Sequence, residues 1–357
     1  MAQINAFFKM LHEHGGSDLH MVSGSQPMIR LRGELQKVKF KVLENDELRK
    51  MLYEITPESK VKVFEETGDV DFGYEIPGLA RYRVNFFNQH RGIAAVFREI
   101  PQKVLSLDDL GMPDKLKELA MLGRGIVLVT GPTGSGKSTT LAAMIDHANA
   151  MRKDHILTIE DPIEFVHEPK NCLINQREVG RDTKSFKSAL RGALREDPDI
   201  ILVGEMRDFE TIQLALEAAE TGHLVFSTLH TVSAVKTIDR IIEVFPEEMQ
   251  AQVRASFADS FRAIVSQSLL RRKDKPGRVA ALEILIGIPS VRNLIREAKN
   301  HQIPSVLQTS KQHGMQALDE ALMNLVTSGV VDVKDAFTHA IDKTKFQALM
   351  GETPEEM

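Results

Sequence analysis

The sequence predicts an α/β protein whose core is a mainly parallel sheet, preceded by an α+β unit and followed by helices. Three observations point there. Between residues 125 and 230 short apolar runs alternate with helical stretches, the pattern of parallel strands joined by crossover helices. One of these runs leads straight into Gly131-x-x-x-x-Gly136-Lys137-Ser138. And 357 residues are too many for one ordinary core, so two domains are expected.

The bulk numbers narrow the class. The composition is that of a soluble globular protein, 42% hydrophobic and 27% charged. Lys and Arg total 45 against 50 Asp and Glu, a net charge of -5, which argues against a nucleic-acid-binding surface. Cys172 is the single cysteine, so an internal disulfide framework and a cysteine-based zinc site are both excluded, and a reducing, cytosolic compartment fits. Charges and histidines come too early in "MAQINAFFKMLHEHGGSDLH" for a secretory leader. No apolar run approaches the roughly 18 residues of a membrane-spanning helix, so any membrane role is expected to be peripheral.

Taken in order, a first helix is predicted from Ile4 to about His14, ending at Gly15-Gly16. Strands follow in "PMIRLRGEL", with a turn at Arg32-Gly33, and a helical stretch covers about Asp46 to Glu54. The strands "DVDFGYEI", "ARYRVNFF" and "GIAAVFREI" come next, the first two joined by the Pro77-Gly78 turn. Pro101 closes this unit. The stretch from 101 to 113 reads as a linker that bends between Asp109 and Pro113. The core, 114–288, contains the strands "GIVLVTG", "HILTIED", "DIILVGE" and "HLVFSTLH" with helices between them. From "PSVRNLIREAKN" onward, 289–357, the chain reads as helical, with a fraying "GETPEEM" tail.

The glycine-rich stretch carries the chemistry. An apolar strand before it and a helix after it are the context of a P-loop, in which backbone N–H groups cradle phosphate oxygens. The expected nucleotide-binding residues are Gly131, Pro132, Thr133, Gly134, Ser135, Gly136, Lys137, Ser138 and Thr139. Lys137 is expected to reach the β- and γ-phosphates, and the Ser138 hydroxyl to ligate Mg²⁺. The site is one for a nucleoside triphosphate.

Ligands of a parallel sheet bind outside the carboxyl ends of its strands. Those ends are the P-loop itself, Glu160-Asp161-Pro162-Ile163-Glu164, Gly204-Glu205 and His230. Glu164 and Glu205 are the candidates to position and deprotonate water, although "EDPIEF" alone reads equally as a solvated turn. Glu205 is a Walker-B acid shifted to its strand terminus, whereas Asp199 starts that strand and lies at the wrong end for Mg²⁺. His230 is placed to sense nucleotide. His223, seven residues earlier and about 23 Å away along an extended strand, belongs to the opposite edge as a capping group.

Together these blocks resemble the secretion-superfamily ATPases, above all the PilT-type pilus retraction ATPases, over nearly the whole chain. "GPTGSGKSTTL" matches that family's Walker A, "ILTIEDPIEF" its Asp box, "LREDPDIILVGEMRD" its Walker B and "ETGHLVFSTLHT" its His box. "SDLHM", "RYRVN" and "FREIP" resemble its PAS-like domain. The resemblance implies a PAS-like N-terminal domain on a RecA-like ATPase core, assembled as a homohexamer that uses ATP and Mg²⁺. It implies Glu164 as the catalytic glutamate, Glu205 as the acid acting on Mg²⁺ and its waters, and a role for Arg207 in the inter-domain machinery. Alternation puts Arg81, Arg83 and Asn85 on one face of their strand, and pattern alone makes that a solvated basic face. In the family such arginines reach the bound phosphates, so Arg81 and Arg83 are the arginine-finger candidates, ahead of Arg98, Arg195, Arg207 and Arg240.

The branch of the family is read from the C-terminal region. Assembly and type II secretion ATPases carry a tetracysteine zinc motif there, which one cysteine excludes. "SVRNLIRE" instead resembles the "AIRNLIRE" motif that the family links to retraction. Val291, Leu294, Ile295 and Ala298 share one predicted face toward the core, with Arg292 and Arg296 on another. The implied role is pilin disassembly at the inner-membrane base of a type IV pilus, the protein being cytoplasmic and held there through a platform protein. A nucleic-acid motor on a similar core is the competing enzyme class, and the absence of Trp with only 3 Tyr for base stacking counts against it. A nucleotide-controlled scaffold is the non-enzymatic alternative, opposed by Lys137 and both glutamates, whereas an accessory retraction ATPase that needs a partner motor, or a pilus-assembly or secretion ATPase, is the alternative within the family.

Overall fold

The computed structural model describes residues 4–31, 33–100 and 103–350. Arg32 of the predicted turn, Pro101 at the predicted domain end and the tail 351–357 lie outside the described residues. The chain divides into two compact units, Met1–Lys103 with Pro162–Val166, and Val104–Asp161 with His167–Met357.

The first unit contains α1 (Asn5–Glu13), β1 (Asp18–Val22), β2 (Met28–Leu31), β3 (Glu34–Lys37), α2 (Asn45–Tyr53), α3 (Glu58–Thr67), β4 (Asp69–Ile76), β5 (Ala80–Gln89) and β6 (Gly92–Ile100). Its six-stranded sheet has the order β3-β2-β1-β6-β5-β4, every neighbouring pair antiparallel. One sheet face is buried, so strand residues alternate: Tyr82, Val84 and Phe86 of β5 are buried, and Arg83 between them is exposed. Phe8 of α1 closes that core, edge-on to Phe97 and beside Tyr82.

The second unit opens with α4 (Asp114–Ala120), β7 (Gly125–Thr130), α5 (Lys137–Met151), β8 (His155–Glu160), β9 (Leu173–Glu178), α6 (Phe186–Ala193), β10 (Ile200–Val203), α7 (Phe209–Glu220) and β11 (Leu224–Leu229). It continues through α8 (Ala234–Glu243), α9 (Glu247–Ser260), β12 (Phe261–Arg271) and β13 (Arg278–Ile286). The helices α10 (Pro289–Arg296), α11 (Ile303–Thr309), α12 (Leu318–Thr327), α13 (Val333–His339) and α14 (Lys343–Met350) complete it. The sheet order is β13-β12-β7-β11-β10-β8-β9, parallel throughout except between β12 and β13.

Helices cover both faces of this sheet, which is why β10 is an unbroken apolar run and β7 and β11 are buried at every position. Ile126 and Leu128 point into the core that α7, α8 and α9 help to form, and Val127 and Val129 into the one beneath α4 and α5. The starts of α6, α7 and α8 are capped by short polar side chains: Ser185 in a capping box, Asp208 accepting from the Thr211 N–H at 2.9 Å, and Ser233 accepting from Lys236.

The mainly parallel sheet is as expected, and β9, β12 and β13 add to both of its edges beyond the four strands read from the sequence. One expectation needs correction. In α10, Val291 and Ile295 are buried as expected, but Ala298 lies beyond the helix and is exposed. The N–H groups of Ala298 and Lys299 bond the carbonyls of Ile295 and Leu294, a Schellman ending that puts Ala298 at φ 58. Reversal of the chain, not continuation of the apolar face, sets its position.

Candidate functional site

The P-loop runs from the end of β7 into the first turn of α5. Gly131 has φ 143, and a Cβ there would stand 2.3 Å from the Gln267 carbonyl oxygen, so no other residue fits. Pro132, Thr133 and Gly134 are exposed, Ser135 and Lys137 are buried, and Gly136, Ser138 and Thr139 are half-buried. Lys137 Nζ donates to the carbonyls of Gly131 at 3.0 Å and Pro132 at 3.1 Å. The Ser135 hydroxyl is buried with no hydrogen-bond partner among the described residues. A glycine-only turn, a buried lysine and an unsatisfied buried donor at a helix N-terminus fit a phosphate chain. Ser138 adds a hydroxyl of the kind that ligates Mg²⁺ alongside phosphate oxygens.

Parallel register brings the other strand ends to the same edge. Leu229 lies opposite Thr130, and Val203 is flanked by Ser227 and Ile159. His230 then links the P-loop to the β10 terminus. Its Nδ1 is 3.5 Å from Lys137 Nζ and its Nε2 is 3.3 Å from Glu205 Oε1. Arg207 donates to Glu205 Oε2 at 2.7 Å. The turn that carries Glu205 is held by β11: Ser227 Oγ donates to the Val203 carbonyl and Thr228 Oγ1 to that of Gly204, both at 2.7 Å.

Burial works to raise the Glu205 carboxyl, but the Arg207 hydrogen bond and charge, with His230 adding to them, outweigh it and hold the group below the ordinary glutamate value. The same hydrogen bond to Glu205 raises the Arg207 guanidinium. Glu205 is therefore an ionised, anchored carboxylate beside the phosphate loop.

Other residues singled out by sequence fall elsewhere. Glu164 is half-buried in the turn after β8, and its segment Pro162–Val166 belongs to the first unit. Arg81 and Arg83 lie on β5 of that unit, 3.7 Å from Glu75 and 4.0 Å from Asp71, the first arginine buried and the second exposed. Arg98 donates to the buried Asp18 at 2.8 Å. Asp199 accepts from the His155 N–H, and His223 Nδ1 lies 2.8 Å from the Ala218 carbonyl, both at the far end of the sheet from His230.

Two glutamines escaped the sequence reading. Gln267 of β12 reaches the P-loop itself. Gln176 of β9 accepts from the His167 N–H at 2.8 Å and donates to Glu160 Oε1 at 3.3 Å, joining the two ends of the Glu164 turn. The available signal was polarity inside strands: "SQS" interrupts an apolar β12, and Gln176 sits mid-strand in "LINQRE".

A P-loop opening onto a mainly parallel sheet, with a histidine and an anchored carboxylate on neighbouring strand ends, defines an α/β ATPase core. The chain belongs to the type II/IV secretion system protein family, whose model matches residues 2–338. It is 56% identical over 324 residues to the type IV pilus retraction ATPase PilT of Pseudomonas aeruginosa, covering 91% of this chain and 94% of that protein. A twitching motility protein of Neisseria gonorrhoeae is 55% identical over 85% of this chain and 82% of its own length. Among solved structures, the pilus retraction motor PilT with bound ADP superposes with a TM-score of 0.89 at 44% identity, covering 97% of this chain and 98% of that one.

Proposed function

We propose that this chain is a motor ATPase that hydrolyses MgATP to drive type IV pilus retraction and twitching motility. One observation carries the reading: the Lys137–His230–Glu205 chain beside a P-loop, in a chain 56% identical to a pilus retraction ATPase. Lys137 neutralises the β- and γ-phosphates, while Ser138 and Glu205 hold Mg²⁺ and its waters. Glu164 takes the proton of the attacking water. His230, bonded to both lysine and glutamate, reports the phosphate state. Arg81 and Arg83 supply positive charge to the transferring phosphoryl group, an effect worth roughly 10³–10⁵ in rate for arginine fingers.

Residues 1–100 form a PAS-like domain, 101–113 a linker, 114–288 the RecA-like core and 289–357 a helical region. The working assembly is a homohexamer without nucleic acid, cytoplasmic and held at the inner membrane by a platform protein. Among the described residues no helix is long and apolar enough to cross a membrane, which accords with attachment through a partner.

Phosphate release by the purified chain tests the reading. Glu205→Ala and Glu164→Ala should each lower turnover by about 10²–10⁴-fold while leaving the fold and assembly intact. Wild-type turnover in Glu205→Ala would overturn the assignment.

A further inference from the structure

We propose that Gln267 is a positioning residue for the phosphate loop, setting the orientation of the Ser135–Gly136 peptide and hence the direction of the Gly136 N–H. The proposal deepens the nucleotide-binding reading above and rests on it. Gln267 lies within β12, one residue past Ser266, which pairs with Thr130 at the end of β7. Its side chain is buried, so water cannot substitute for its partners. Nε2 donates to the Ser135 carbonyl at 2.6 Å, and Oε1 accepts from Thr140 Oγ1, on the first turn of α5, at 2.8 Å. Only one orientation of the amide serves both: a carbonyl accepts and never donates, so the NH₂ must face Ser135.

In a trans peptide the C=O and N–H point opposite ways. Holding the Ser135 carbonyl toward β12 turns the Gly136 N–H away from β12, onto the side where a P-loop cradles phosphate. The constraint matters because the following residue is glycine, at φ 87, which tolerates either peptide orientation at little cost. Without the glutamine the peptide can rotate and present its carbonyl oxygen to an anion. Gln267 thus acts without touching the ligand, by removing the freedom that Gly136 brings. Apolar residues dominate the rest of β12, and a buried amide there is costly unless its hydrogen bonds serve something.

Titration calorimetry of the full chain with ADP, and with AMP as the comparison lacking a β-phosphate, tests this. Gln267→Leu should weaken ADP by about 10- to 100-fold, the loss expected for hydrogen bonds to a charged group, and leave AMP unchanged. Thr140→Val, which removes only the anchor of the glutamine, should weaken ADP in the same sense by a smaller factor. A merely structural role would lower the melting temperature and leave the ADP-to-AMP ratio where it was. The proposal is overturned if folded Gln267→Leu binds ADP like wild type, or loses ADP and AMP equally. Should that variant fail to fold, wild-type ADP affinity in Thr140→Val overturns it instead. Wild-type chain that binds no ADP would sink the nucleotide-site reading itself, a distinct result.

Discussion

At the scale of single residues, His167 shows how position decides chemistry. It follows the Glu164 turn by three residues, yet burial drives its imidazole down to about 4, with Asp146 opposing and Lys170 adding to the shift. Its Nδ1 is buried with no hydrogen-bond partner among the described residues, consistent with a ring kept neutral. The sign of the consequence follows from proton linkage. Between the ordinary histidine value and about 4 the unfolded chain binds a proton that the folded chain refuses, so stability falls as pH falls through that window. The resistance of wild type to urea should therefore fall steadily from pH 6.5 to about 4, and His167→Leu should flatten that slope. An identical slope in the variant would assign the acid sensitivity to other groups. The lowered value of Glu205 means that protonating it, and so loosening its anchoring by Arg207, takes a more acidic medium than an ordinary glutamate needs.

At the scale of elements, the Glu164 turn is the part whose geometry most needs support. Gln176 joins Glu160 at its start to the His167 N–H at its end, and Thr158 steadies the same Glu160 oxygen at 2.7 Å. Gln176→Ala should lower ATP turnover by about 10-fold with an unchanged KM, since a small misplacement of a catalytic group costs rate rather than binding. A raised KM with unchanged kcat would contradict that role. The strands that carry the site were legible in the sequence because burial on both faces makes each mainly apolar, with a polar residue at or just past its carboxyl end. Strands β9, β12 and β13 were not. β9 is an edge strand with little to bury, and the SQS interruption breaks the apolar pattern of β12. The same polarity that hid β12 marks its contact with the P-loop. The carboxyl ends of the parallel strands likewise told which residues reach the nucleotide edge, whereas nothing in the local pattern told that Pro162–Val166 belongs with the first unit.

At the scale of the whole molecule, the two units divide the candidate chemistry. The second unit carries the phosphate loop, His230 and Glu205, and the first carries Arg81, Arg83 and the Glu164 segment. If hydrolysis draws on both groups, turnover depends on how the units are arranged, and nucleotide state becomes coupled to movement. That is the property a retraction motor needs, and it distinguishes the reading from a static nucleotide-binding scaffold. The most direct measurement is a count of surface pili, with twitching scored, in cells from which this gene has been deleted. The account predicts abundant pili on cells that cannot twitch, with normal pilus number and twitching both returned by the wild-type gene and neither by Glu205→Ala. Bald cells, or an unchanged number of pili with normal twitching, would contradict it.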